Sequence, residues 1–336
     1  MSEIRKNLVK NRWVAVASDR ALKPNDFPTA GMGINESETR GGFCPFCGGN
    51  EEYTPPEIAA YRPDNQQPDS PGWLIRAIPN KFSAFLLEGE LKENYSGIYS
   101  NYNGLGQHEV IIETPEHSPE YHEFELERVE KIISMFKNRY NSLAGDTRIK
   151  YIQIYKNRGM FGGASLGHSH SQIVGLPFDP QENEGMVQYY EQKGSCLICD
   201  ILKQEQESKE RIIYEGENFL IICPYAPRFA YESWIVPKRH MEHFGEINPL
   251  EEKELALLSR KITMAVIDSL DNPSYNFVIN SAPVNVPYQA GYHWFWEITP
   301  RMLVAAGVEV ATGVYINPVA PELAANILKE SFQTML

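Results

Sequence analysis

Nowhere does this chain run about eighteen apolar residues together, the length a membrane-spanning helix needs. Its first residues, MSEIRKNLVKNRW, also lack the apolar stretch of a secretory signal. The cytoplasm is therefore the expected compartment, with no membrane partner. Basic residues are the minority: 31 Lys and Arg against 44 Asp and Glu leave a net charge of −13. That excludes a broad basic surface for nucleic acid, while leaving room for a small anionic ligand in a locally basic pocket. Cysteine is scarce, with 5 in 336 residues. Length suits one large or two ordinary domains, and 42% hydrophobic content is that of a globular enzyme.

The few cysteines are placed informatively. Cys44-Pro-Phe-Cys47 and Cys196-Leu-Ile-Cys199 are two C-x-x-C pairs, and Cys223 stands alone in the apolar run Phe219–Pro224. In an intracellular protein such pairs indicate metal or redox chemistry before a structural disulfide. Cys223 is expected to be a buried small hydrophobe.

One stretch organises the rest: Tyr151–Pro177, YIQIYKNRGMFGGASLGHSHSQIVGLP. It begins as a strand, passes through a loop containing Gly159, Gly162, Gly163, Ala164 and Ser165, and continues as His168-Ser-His170-Ser-Gln172. In an extended chain alternate side chains share a face, so His168, His170 and Gln172 point the same way. The glycine loop is expected to leave bare backbone N–H groups for a phosphate. Two imidazoles, an amide and a phosphate-sized hole suit chemistry at phosphorus.

The order of elements repeats. Leu126, Val129, Ile133, Phe136, Tyr140 and Leu143 recur at helical spacing. A second helix opens at Asn248-Pro249 and carries Leu255, Leu258, Ile262 and Val266 on one face. Strands are expected near 12–18, 73–85, 108–117, 219–223, 232–240, 275–280 and 293–300, with mostly loop from 25 to 70 and a loop or short helix over 179–193. His117 to His168 spans 51 positions and His240 to His293 spans 53. An internal duplication accounts for this: an α+β fold of two repeats, residues 1–178 and 179–336, each an antiparallel sheet with packed helices, forming one pseudo-symmetric unit.

Each repeat offers a C-x-x-C pair and two histidines, the sulfur and nitrogen donors of tetrahedral zinc. The expected sets are Cys44, Cys47, His117 and His168, and Cys196, Cys199, His240 and His293, hence two zinc ions per chain. His108 and His243 are possible substitutes, and His122 is expected at the surface. His170 is surplus to the ligand set, and a neutral imidazole there can attack phosphorus to form a phosphoramidate. A metal on His168 would hold that strand in place. The matching position in the second repeat is Phe295, so one nucleophile per chain is expected. Arg20, Lys23, Asn80, Lys81, Asn157 and Arg158 are candidates to neutralise a diphosphate or hold a ribose.

Asn157-Arg-Gly159, Gly163-Ala-Ser165 and His168-Ser-His170-Ser-Gln172 together resemble the active-site signature of the galactose-1-phosphate uridylyltransferase family, the transferase branch of the histidine triad superfamily. Arg12-Trp13-Val14, Arg20-Ala-Leu-Lys23-Pro24, Cys44-Pro-Phe-Cys47, Asn80-Lys-Phe82 and Thr114-Pro-Glu-His117 extend the likeness over nearly the whole chain. The resemblance implies ping-pong nucleotidyl transfer from a nucleotide sugar through His170, with a sugar 1-phosphate or phosphate as acceptor. It also implies Gln172 at the place of the hydrolases' third histidine, Asn157 and Ser165 on phosphate, Asn80 on the nucleoside, and a homodimer. Ser169 departs from the family's usual proline. The second half, through Pro237-Lys-Arg-His240, His293-Trp-Phe and Thr312–Pro318, looks more like the ADP-glucose phosphorylase branch. Hexose-1-phosphate uridylyltransferase is the first expectation and ADP-glucose phosphorylase the second. A nucleotide hydrolase and a non-enzymatic nucleotide- or zinc-dependent module are the rivals from other classes.

Overall fold

The structure is a computed structural model describing residues 3–7, 12–16, 43–83, 85, 88–90, 93–96, 99–102, 105–180, 183–288 and 290–334. Arg20 and Lys23 lie outside the described residues. The strands are β1 (Glu3–Asn7), β2 (Arg12–Val16), β3 (Ala59–Tyr61), β4 (Ile75–Pro79), β5 (Glu93–Ser96), β6 (Tyr99–Tyr102), β7 (Gln107–Ile112), β8 (Tyr151–Arg158), β9 (His170–Leu176), β10 (Ile212–Glu215), β11 (Phe219–Ile222), β12 (Ser233–Pro237), β13 (Tyr275–Asn280), β14 (Phe295–Pro300) and β15 (Tyr315–Asn317). The helices are α1 (Leu126–Ala144), α2 (Glu184–Lys193), α3 (Leu197–Ser208), α4 (Pro249–Ser269), α5 (Gly307–Thr312) and α6 (Pro321–Thr334).

Ten strands form one sheet in the order β10-β11-β12-β14-β13-β8-β9-β7-β4-β3. Every neighbouring pair in it is antiparallel. The two ends mirror each other about the β8–β13 pairing, which runs from Tyr275 opposite Arg158 to Ile279 opposite Ile154. The mixed helix and antiparallel sheet architecture is thus the α+β class that the sequence pattern predicts. A separate small sheet ties β1 and β2 to the C-terminal β15, with β2 and β15 parallel.

The helical periodicity has a visible cause. Val129, Ile133, Phe136, Tyr140 and Leu143 of α1 and Leu255, Leu258, Ile262 and Val266 of α4 are all buried on the same side of the sheet. They meet Ile154, Ile173, Phe277, Ile279 and Trp296 there. Each such side chain contributes about 1.5–3 kcal/mol when fully buried. Asn248 caps α4 by accepting from the backbone N–H groups of Leu250 and Glu251, with Pro249 in the first turn. Because strand side chains alternate, β9 sends Ser171 and Ile173 toward the helices and His170 and Gln172 to the opposite face. Gln172 pairs there with Val110 of β7 and Tyr155 of β8, and His170 with Ile112.

Candidate active site and metal clusters

The first C-x-x-C pair sits in a turn that the Gly48 N–H fastens to the Pro115 carbonyl at 2.9 Å, beside His117. Cys44 Sγ lies 3.5 Å from His168 Nδ1, Cys47 Sγ 3.5 Å from His117 Nδ1 and 3.7 Å from His168 Nδ1. Tetrahedral bonds of 2.3 Å to sulfur and 2.0–2.1 Å to nitrogen would set such donors ~3.5 Å apart. His168 donates from Nε2 to the Thr114 carbonyl at 2.7 Å, leaving Nδ1 as the metal-facing nitrogen. The second cluster has the same design. Cys196 and Cys199 lie 3.6 and 3.5 Å from His293 Nδ1, His240 Nδ1 lies 3.6 Å from Cys199, and His293 Nε2 donates to the Pro237 carbonyl at 3.0 Å. In each set of four the donor atoms lie within 4.8 Å of one another, so each could hold a metal ion. The hydrogen bond from Cys199 holds the Cys196 thiol below the ordinary cysteine range.

The proposed substitutes are elsewhere. His108 stands beside Gln172, and His243 Nδ1 faces the Tyr140 hydroxyl at 3.3 Å. His122 is only partly exposed, and its Nδ1 is buried. Burial and then the Arg158 charge hold its imidazole down to about 4, contrary to the surface expectation. Cys223 is fully buried, as expected, and burial pushes its thiol well up.

His170 is 6% exposed, and its Nδ1–H donates to the His168 carbonyl at 2.7 Å. That bond commits the ring to one tautomer and leaves Nε2 with the free lone pair. Burial first, then the Lys156 charge, holds this imidazole below the ordinary histidine range, hence neutral. His170 lines a cavity of about 130 Å³ with Phe46, Ile78, Val110 and Leu166 on its apolar wall and Asn80, Lys81, Ser165 and Gln172 as polar groups. A larger hollow of about 370 Å³ is lined by Tyr140 and, of the residues singled out from the sequence for the site, by the substitute ligand His243 and not by His170 or Gln172.

Under β9, on the helix side, lies a buried ionic network. Lys156 Nζ is 2.6 Å from Glu113 Oε2 and donates to Ser169 Oγ at 2.9 Å and to the His170 carbonyl at 3.0 Å. Ser169 donates to Glu113 at 2.7 Å, and Ser171 donates to the other carboxylate oxygen. The hydroxyl of Ser169 is therefore needed here. A proline at that position would leave a buried charge pair with fewer partners.

The glycine loop differs from its expected form. The amides of Gly162, Gly163 and Ala164 all donate within the loop, to Gly159, Met160 and Gly159 carbonyls at 3.0–3.1 Å, so these N–H groups are not bare. Gly163 has φ of 79°, a left-handed value that favours glycine. A Cβ on Gly162 would sit 2.7 Å from the Tyr275 carbonyl oxygen. Ser165 does line the cavity with His170. Asn157 accepts at Oδ1 from Asn276 Nδ2 at 2.8 Å, and Arg301 in turn donates to Asn276 Oδ1 at 3.2 Å. Arg158 does not join the site, since strand parity turns it to the helix side, where it donates to the Pro273 carbonyl and to Asn272. Lys156, Glu113, Tyr155 and Asn276 have no role in the sequence pattern, and His108 has one only as a substitute metal ligand. Lys156, which follows Ile152 and Ile154 on the helix side of β8, was the one available signal.

In the second repeat Phe295 occupies the counterpart of His170 and packs 4.5 Å from Trp234. Glu297, at the counterpart of Gln172, pairs with Arg228.

Comparison with known proteins agrees with this geometry. The family described as galactose-1-phosphate uridyl transferase, N-terminal domain, matches residues 1–180, and its C-terminal domain matches residues 182–309. An ADP-glucose phosphorylase of Arabidopsis thaliana is 34% identical over 98% of this chain and 92% of its own. A galactose-1-phosphate uridylyltransferase of Thermotoga maritima is 32% identical over 98% of this chain and 99% of its own. The crystal structure of an Arabidopsis thaliana ADP-glucose phosphorylase with bound ADP-glucose superposes with a TM-score of 0.81 at 32% identity, covering 98% and 99% of the two chains. This chain is a nucleotidyltransferase that belongs to the galactose-1-phosphate uridylyltransferase family.

Proposed function

We propose that the protein transfers a nucleoside monophosphate from a nucleoside diphosphate sugar to a second phosphate by way of a nucleotidyl-His170 intermediate. One observation carries this: the Nδ1–H of His170 is committed to the His168 carbonyl, so the neutral ring's remaining nitrogen is free in the cavity. In the first step a bond forms between Nε2 and the α-phosphorus. The α-phosphorus–oxygen bond breaks, and its electron pair leaves with the sugar 1-phosphate. The Nδ1–H to His168 bond then steadies the positive charge that the ring acquires. In the second step an oxygen of the acceptor attacks phosphorus and the electron pair of the N–P bond returns to Nε2. Ser165 and the amides of Asn157 and Gln172 are the proposed phosphate donors, with Asn80 toward the nucleoside. Gly163 and Ala164 act by shaping the loop, and Arg20 and Lys23 keep their proposed role on the diphosphate.

The leading donor and acceptor are UDP-glucose and a hexose 1-phosphate. ADP-glucose with inorganic phosphate is the second reading, supported by the 34% identity to a phosphorylase and by the motifs of the second half. The two Cys/His sets are proposed to hold two zinc ions per chain, each tying a strand end to a C-x-x-C turn in a structural role. The repeats are placed at 1–178 and 179–336. A homodimer is supported by Val304, Val308 and Val310, which are 71%, 50% and 78% exposed in one short segment. Cytoplasmic residence is proposed as well; no described helix is long and apolar enough to cross a membrane.

The test is intact-mass spectrometry after incubation with UDP-glucose and, separately, ADP-glucose, at neutral to alkaline pH because phosphoramidates are acid-labile. A nucleotidyl mass on the wild type that is missing from His170→Ala is expected, and the mass names the base. Rapid release of free nucleotide without an acceptor would replace transfer by hydrolysis.

A further inference from the structure

Asn80 belongs to a hydrogen-bond cluster that ends at Gln172, on the wall of the cavity that His170 lines. Its Oδ1 accepts the backbone N–H of Phe82 at 2.9 Å, so Nδ2 is the end turned inward, 3.2 Å from His108 Nε2 and 3.5 Å from Gln172 Oε1. The same oxygen of Gln172 receives the Tyr155 hydroxyl at 3.0 Å and His108 Nε2 at 2.7 Å. Three donors converge on one carbonyl oxygen. With the amide reversed, its NH2 would face the NH2 of Asn80, donor against donor. The buried Nδ1 of His108 has no hydrogen-bond partner, so a proton there would be stranded; the ring, which burial holds below the ordinary histidine range, carries its single proton on Nε2, 2.7 Å from Gln172 Oε1, and the Asn80 NH2 turns to that same oxygen. Gln172 Nε2 is consequently the end presented to the cavity that Gln172 shares with His170.

We infer that Tyr155 and His108, with Asn80, are positioning residues that lock Gln172 as a hydrogen-bond donor to the transferred phosphoryl group. A carbonyl oxygen in that place would repel the negative equatorial oxygens; a preorganised N–H stabilises the charge that develops on them. None of the three need touch phosphorus. Their effect passes through the orientation of one amide, and the inference rests on the nucleotidyl transfer proposed above.

The test is the single-turnover rate of nucleotidyl-enzyme formation by the full-length, metal-loaded protein, using whichever of UDP-glucose or ADP-glucose labels the wild type. Gln172→Ala should slow that step on the order of a hundredfold, as loss of one preorganised donor does. Tyr155→Phe should slow it on the order of tenfold, the weight of one hydrogen bond, and should slow Gln172→Ala no further. A residue that merely supports packing would slow both backgrounds equally, and that result would overturn the inference. So would an unslowed Tyr155→Phe or Gln172→Ala. His108→Leu should also be slow, with His108→Gln, which restores an N–H donor, recovering most of the rate; equal rates in these two variants count against the inference. Should His108→Leu fail to fold, the Tyr155→Phe cycle decides alone, since only a hydroxyl is removed from a half-buried ring. A wild type that accepts no nucleotide from either donor would overturn the parent function instead, before any variant is compared.

Discussion

Lys156 donates to the backbone carbonyl of His170, the proposed nucleophile, at 3.0 Å while its ammonium lies 2.6 Å from Glu113. Lys156 and Glu113 are both essentially inaccessible to water, at 1% and 0% exposure. Breaking such a pair from one side leaves a buried charge. Lys156→Met should therefore lose about 3–5 kcal/mol in urea unfolding of the metal-loaded protein. Lys156→Met combined with Glu113→Leu should recover part of that loss. A single variant as stable as the wild type would show that the pair does not hold the strand.

Metal content separates the roles of the two clusters. Purified protein should carry close to two zinc ions, and Cys44→Ser and Cys196→Ser should each lose one, measured by elemental emission. Cys44→Ser should also slow nucleotidyl-enzyme formation, because His168 is joined to His170 by the 2.7 Å Nδ1–H to carbonyl bond. Cys196→Ser should slow it less, since the counterpart of His170 there is Phe295. Equal kinetic losses would refute that distinction.

The acid limb of activity should lie low. His170 is held below the ordinary histidine range of about 6.5, first by burial and then by the Lys156 charge. Single-turnover labelling should therefore stay flat from pH 8 to about 6.5 and fall only below it. A midpoint at or above neutrality would contradict the neutral nucleophile.

Stability should fall over the same acid range. His122 is held down to about 4 in the fold, against about 6.5 in the unfolded chain. Between those values the unfolded state binds more protons, so stability rises with pH there and is lost as pH drops. His122→Gln should flatten the slope of unfolding free energy against pH by up to one proton. An unchanged slope would count against burial of a neutral His122.

Gly162→Ala forces a Cβ to within 2.7 Å of the Tyr275 carbonyl, backbone against backbone. It should destabilise by about 1–3 kcal/mol and raise KM for the nucleotide sugar, because Ser165 follows that turn. Gly307→Ala, where nothing lies within 4 Å, should change stability by less than about 0.5 kcal/mol. Thermal unfolding and steady-state kinetics of the two variants check the contrast.

Strand parity was the strongest guide in the sequence and also the one applied unevenly. Alternation placed His170 and Gln172 on one face, where they lie. The same rule along β8 puts Tyr155 and Asn157 on the site face and Lys156 and Arg158 on the helix side, yet the nearby glycine turn made Arg158 look like a phosphate ligand. His122 lies in the turn before α1, and the charges that act on it, Arg158 and Arg260, come from residues distant in the chain.

What the sequence determined alone was local or periodic: the helices at α1 and α4, the two C-x-x-C turns, the alternation of β9, and the duplication that spaces the histidines. Those follow from side-chain period and ligand chemistry acting within a few residues. What only the tertiary structure decided was which distant groups share a hydrogen bond. Glu113 meets Lys156 across 43 residues, and His108 meets Gln172 across 64. Both pairs depend on strand register, which is set by the packing of the whole sheet, and one residue of slip would turn every such side chain to the other face.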